Sequence, residues 1–211
     1  MKPNKLIEYI SYDNFFLYLS QSLSLLSPLI LFPFLTNIYG SENFGLLMFG
    51  YSYSLIISIF VEYCFYLSAQ KELQKTKSIK KKNFLINNVL NARLALSFAT
   101  FIIFFIIGLS IKNLNSNTNF LLLSVLLGIL IGNNFQWYWR GIGKFVFGSI
   151  LEVLAKLSVI FFSFILIENN SSIFLYFDIF ITIMTGLFFV NISLILYSGN
   201  TFKVNLPSIR N

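Results

Sequence analysis

The chain has 211 residues, of which 56% are hydrophobic, 18% aromatic and only 11% charged, and its formal net charge is +7. Soluble domains carry about 25% charged residues, so this composition excludes an ordinary globular surface and leaves an integral membrane protein. The absence of His and the single cysteine, Cys64, exclude most His-based acid–base chemistry, an internal disulfide and a Cys-only zinc site.

A helix needs about 20 residues to cross the hydrocarbon. The start, MKPNKLIEYISYDN, is polar, and the first apolar run lacks a small-residue cleavage site, so no cleavable signal peptide is expected. Six spans are predicted, at residues 14–38, 44–69, 84–111, 119–139, 145–167 and 173–197. They are too long, and too little alternating, for barrel strands. The expected fold is an all-α membrane protein, a single six-helix transmembrane bundle over 1–211.

The fourth span closes in NNFQWYWRGIGK (133–144). Trp and Tyr gather where hydrocarbon meets water, and Lys and Arg mark the cytoplasmic side, so this stretch reads as a cytoplasmic helix exit. The other loops agree. Lys2 and Lys5 precede span 1, and Lys71, Lys75, Lys77, Lys80, Lys81 and Lys82 separate spans 2 and 3. Arg140 and Lys144 follow span 4, and Lys203 and Arg210 lie in the tail. The remaining loops hold Lys112 alone. That asymmetry predicts cytoplasmic termini. The positive charge is a topology signal rather than a nucleic-acid surface. The six-lysine loop is also suited to anionic lipid.

Polar residues recur within the spans at helical spacing. Ser20, Ser24 and Ser27 share a face of span 1, Ser54, Ser58 and Glu62 a face of span 2, and Asn83, Asn87 and Asn91 a face of span 3. Span 6 holds Asp178, Thr182 and Thr185. Such faces should turn from lipid, which offers no hydrogen-bond partners.

Glu152 and Lys156 fall roughly 10 and 17 Å into span 5, where a charge costs about 2.5–3.5 kcal/mol. They either bridge each other at i,i+4 or serve a cavity as an anion- or ion-binding pair. Arg93, roughly 14 Å into span 3, either snorkels to the surface or offers its planar fork to phosphate. Glu62 and Asp178 lie nearer span ends, where interfacial water can solvate them. Pro28 and Pro33 delete backbone donors and bend span 1, a feature of moving transporter helices and of membrane helices generally. Gly108, Gly128, Gly132 and Gly148 suit close helix packing. No catalytic triad, metal cluster, Walker motif or nucleotide-binding glycine loop is present, so no cofactor or metal is expected.

Three blocks carry a resemblance. LTNIYGSENFGLLMFG (35–50) resembles the L-T-R-x-L-G-x-x-x-F-G-x pattern of the O-antigen and polysaccharide-repeat flippases. These form the polysaccharide transporter branch of the multidrug/oligosaccharidyl-lipid/polysaccharide exporter superfamily. VEYCFYLSAQKEL (61–73) is similar to that family's D-Y-G-F-x-x-S-x-x-R-E-I block, and WYWRGIGKF (137–145) to its W-x-F-Q-G block. Departures are Asn37 for Arg, Glu62 for Asp, Cys64 for Gly, Lys71 for Arg, Trp139-Arg140 for Phe-Gln, and Phe135 where Pro is usual. Family members hold two pseudo-symmetric bundles around a central cavity, and this chain matches the first.

The resemblance implies movement of a polyprenyl-diphosphate-linked oligosaccharide across the membrane by alternating access. Arg93 and Lys156 would then attract the diphosphate, with Asn87 and Asn91 on the cavity wall. Trp137, Tyr138 and Trp139 would stack on sugars. Glu62, Glu152 or Asp178 would bind a coupling proton or cation, and Pro28 and Pro33 would act as hinges. The expected partners are the lipid-linked oligosaccharide, membrane lipids, and a second lobe or a second copy. A half-length fragment, inactive or pairing with another half, stays open, as does a membrane-embedded glycan-assembly enzyme.

Overall fold

The computed structural model describes residues 3–63, 65–111, 114, 117–168 and 171–197. Lys2, Cys64, Lys112, Lys203 and Arg210 therefore lie outside the described residues, as do the side chains of Lys5, Ser20 and Ser24. The elements are α1 (Pro3–Glu62), α2 (Phe65–Lys75), α3 (Ile79–Leu109), α4 (Thr118–Gly132), α5 (Gln136–Gly141), α6 (Phe145–Leu166) and α7 (Leu175–Tyr197). No strand occurs among the described residues. The chain is an all-α membrane protein, as its composition predicts.

Five helical stretches are long and apolar enough to cross a membrane, against six predicted spans. The difference is at Gly40, whose backbone (φ 74°, ψ 167°) breaks the helix inside α1. Only glycine adopts that region readily. The rings of Phe32 and Phe44 lie 5.5 Å apart across it, whereas a continuous helix would separate them by about 18 Å. The chain therefore doubles back at Gly40. The first stretch, 55 residues from Gln21 to Lys75, holds the second predicted span and residues 21–38 of the first. Residues 39–43 were expected to link two spans; the reversal takes a single non-helical residue, Gly40.

Two further boundaries differ from the predicted ones. The second arm of α1 ends at Glu62, where Tyr63 takes a positive φ of 37°. The chain then forms α2, a separate short helix, where the end of span 2 and its loop were expected. The predicted span 119–139 is also divided. Asn117 caps α4 by accepting from the amides of Asn119 and Phe120 at 3.1 and 3.3 Å. The helix then stops at Gly132, and α5 begins at Gln136. Asn133 occupies the break, donating to the Ile129 carbonyl at 3.0 Å and to Ser97 Oγ at 2.8 Å.

Helices in lipid associate through close packing and hydrogen bonds rather than through expulsion of water. The second arm of α1 meets α4 in this way. A Cβ on Gly128 would sit 2.6 Å from the Ser54 carbonyl, and one on Gly132 would sit 2.7 Å from Val61 Cβ. Ser54 Oγ reaches the Ser124 carbonyl of α4 at 2.8 Å. Gly108 faces Leu121, and Gly148 faces Trp139, in the same close manner. Outward, Leu29, Ile59, Phe98, Phe161 and Phe189 are exposed, the apolar coat that a lipid surround requires.

Candidate functional site

A cavity of about 400 Å³ lies among α1, α4, α5, α6 and α7. Its deeper wall is apolar and aromatic, with Leu31, Phe32, Tyr51, Val159, Tyr176 and Phe180. Its other end is polar and charged, because both helix breaks open there. Glu62 ends α1, Asn133 and Asn134 fill the α4–α5 break, and Gln136 and Arg140 belong to α5. Glu152 and Lys156 face them from α6.

The Glu152 carboxylate is engaged on both oxygens. Lys156 Nζ lies 2.5 Å from Oε1, and Gln136 Nε2 donates to Oε2 at 2.7 Å. Gln136 Nε2 also reaches the Gly148 carbonyl at 3.0 Å. The i,i+4 pair expected from the sequence thus forms, and it also lines the cavity. Neither side chain is fully enclosed, with 16% of Lys156 and 32% of Glu152 exposed. Glu62 makes no hydrogen bond or ion pair among the described residues. It lines the cavity within electrostatic reach of Arg93.

Trp139 lines the cavity through an imposed orientation. Its indole N–H donates to Asn191 Oδ1 at 2.6 Å, and Asn191 in turn donates to the Leu187 carbonyl. Gly148 lies beneath the indole, and Phe147 meets it edge-on at 4.7 Å. Pro28 also lines the cavity, from the first arm of α1.

The other sequence candidates fall elsewhere. Arg93 is 2% exposed and does not line the cavity. Its Nη1 donates to the Asn134 carbonyl at 2.5 Å, and its guanidinium lies over the rings of Phe65 and Trp137 at 5.8 and 5.6 Å. Nε and Nη2 have no hydrogen-bond partner among the described residues, although the charge of Glu62 reaches the group. Arg93 neither snorkels nor meets the cavity; it braces the α4–α5 break. Trp137 is fully buried beneath it. The aromatic stretch is an inward-folded short helix rather than a belt facing lipid. Asn87 and Asn91 are half-buried on α3 and away from the cavity lining. Pro33 and Asp178 are exposed and also outside it. Asp178 sits in the first turn of α7, where the helix dipole favours an acid.

Sequence reasoning passed over Gln136, Asn133, Asn134 and Asn191, and took Arg140 only as a topology charge. One signal was available, since two consecutive asparagines closing an apolar run cannot be left facing lipid. Among the described residues no group of acidic, His or Cys side chains could hold a metal. The site is amphipathic: a greasy, aromatic interior ends in charges of both signs.

A family model described as "Polysaccharide biosynthesis protein" matches residues 12–210. An Escherichia coli (strain K12) protein named "Putative O-antigen transporter" is 27% identical over 176 residues, which cover 82% of this chain and 41% of that protein. The chain thus spans about two fifths of that curated relative's length. No solved structure matches.

Proposed function

We propose, on the premise that the chain belongs to the polysaccharide biosynthesis protein family, that it is one lobe of a flippase. Its cargo would be a polyprenyl-diphosphate-linked oligosaccharide, and its membrane the bacterial cytoplasmic membrane. The observation that carries this reading is the cavity itself. Cations, acids and amides gather at one end of an otherwise apolar and aromatic hollow. A ligand with a diphosphate, sugar hydroxyls and a long hydrocarbon has the same composition. The name of the E. coli relative, a transporter, points to transport rather than to catalysis.

In this reading Lys156 and Arg140 hold the diphosphate, because ionised donors make the strong hydrogen bonds that phosphate oxygens accept. Trp139 offers a ring face to a sugar. Glu62, open to the cavity, takes the coupling proton or cation. Glu152 keeps Lys156 and Gln136 in position, since both its oxygens are occupied. The charged end faces the cytoplasm, as the lysine-rich loop beside it requires. The opposing wall of an alternating-access cavity comes from a second lobe or a second copy.

The test is direct binding. The purified chain in nanodiscs is titrated with a polyprenyl-diphosphate oligosaccharide and with the matching polyprenol oligosaccharide lacking the diphosphate. The expected result is retention of the diphosphate form, weakened at least tenfold by K156M. Equal retention of the two lipids, or no effect of K156M, overturns the assignment.

A further inference from the structure

The second charged feature of the molecule lies outside the cavity. Lys71, Lys75, Lys77, Lys80, Lys81 and Lys82 occupy one elbow, formed by α2, residues 76–78 and the first turn of α3. One acid, Glu72, lies among them. Five of the six lysines are exposed, Lys82 is half-exposed, and none is in an ion pair among the described residues. The first turn of α3 holds no acid, and the side chain of Ser78 does not cap it. Its lysines therefore sit against the positive end of the helix dipole, with no ion pair among the described residues to offset them.

Exposed apolar side chains flank the same elbow. Leu67 is 58% exposed, Ile79 76% and Phe84 65%. Lysines beside outward apolar groups are the composition of a segment that lies in a bilayer interface, with its charges among headgroups and its apolar groups at the acyl boundary. We infer that the α2–α3 elbow is a binding surface for the anionic headgroups of membrane glycerophospholipids. Topology requires positive charge on this side of the membrane. It does not require the charge to be concentrated in one elbow with apolar side chains turned outward beside it.

The elbow is connected to the cavity. Leu73, on the inner face of α2, fills the hollow over Gly141, which is the last residue of α5. Gln74 Nε2 donates to the Arg140 carbonyl at 3.2 Å. A headgroup that fixes α2 thereby fixes the helix that carries Trp139 and Arg140. The inference does not depend on what the cavity transports.

The experiment places the purified chain in nanodiscs of equal phosphatidylglycerol and phosphatidylcholine. Lipids that remain bound on release are counted by native mass spectrometry. The expected result is enrichment of phosphatidylglycerol that falls as elbow lysines are removed by Lys→Gln, by up to about fivefold for the first. Enrichment should survive Lys→Arg at the same positions, and it should fall with added salt in the unmodified chain. The salt arm stands even where a multiple Lys→Gln variant fails to fold. Equal retention of the two lipids at low salt overturns the inference. So does phosphatidylglycerol enrichment that persists in a folded Lys→Gln variant. Capture of an acidic protein or nucleic acid with no lipid preference overturns it as well.

Discussion

The indole N–H of Trp139 donates to Asn191 Oδ1 at 2.6 Å, and this bond ties the short helix α5 to α7 at the cavity wall. Both residues are buried, so either one alone is an orphan. Asn191→Leu should therefore destabilise the purified chain by about 1–3 kcal/mol, the cost of a buried donor without an acceptor. Trp139→Phe with Asn191→Leu should cost less than the two single losses added, because both polar partners are gone. Chemical unfolding of the four species in one detergent gives the cycle. Strict additivity would mean that the bond does not hold α5 in place.

Arg93 and Lys156 are both intramembrane cations, yet their surroundings separate their roles. Arg93 is enclosed and bonded to a carbonyl at the α4–α5 break, and Lys156 lies in the cavity wall. Arg93→Met should leave the Asn134 carbonyl without this donor and lower stability by about 1–3 kcal/mol. Its effect on ligand affinity in folded material should be small. Lys156→Met should do the reverse, lowering affinity for a diphosphate lipid at least tenfold while the fold survives. Unfolding and binding curves on the same preparations decide. Arg93→Met that keeps its stability and loses binding would return Arg93 to the ligand site.

Two glycines in membrane helices should respond oppositely to the same methyl group. At Gly128 the new Cβ meets the Ser54 carbonyl at 2.6 Å and Ile57 Cβ at 2.7 Å. Backbone cannot swing away as a flexible side chain does, so Gly128→Ala should cost about 1–3 kcal/mol. At Gly186 nothing lies within 4 Å. Gly186→Ala should be neutral, or stabilising by up to about 1 kcal/mol through helix propensity. Equal effects at the two sites would mean that α1 and α4 are not in close contact.

What the sequence disclosed, and what it withheld, follows from the range of each interaction. Hydropathy is local, and the spans from residue 79 onward fall close to their predicted places. The Glu152–Lys156 pair is also local, being one helical turn, and it forms as spacing suggests. Packing at Gly128, Gly132 and Gly148 was legible because lipid leaves small residues few other uses. The direction in which Arg93 points was not, because the Asn134 carbonyl that holds it is 41 positions away. The inward turn of Trp137 and Trp139 was hidden for the same reason. An aromatic run beside charges reads as an interface until tertiary contacts bury it. The break at 133–135 lies within a run that hydropathy alone treats as continuous.

Gly40 gives the sharpest test of the fold, because space and backbone strain are separated there. A Cβ at this position meets nothing within 4 Å, while φ 74° and ψ 167° lie in a region that is essentially reserved for glycine. Any cost of Gly40→Ala is therefore conformational, and it should be about 1–3 kcal/mol. The two arms of α1 hold each other through the Phe32–Phe44 contact and through packing with α4 and α6. The variant should therefore keep the reversal and bear the strain. Cysteines at positions 32 and 44, in a background with Cys64 replaced, should still cross-link in Gly40→Ala. The midpoint of unfolding should fall. Loss of the cross-link would mean that glycine's freedom creates the reversal rather than easing it. An unchanged midpoint would place the turn at another residue.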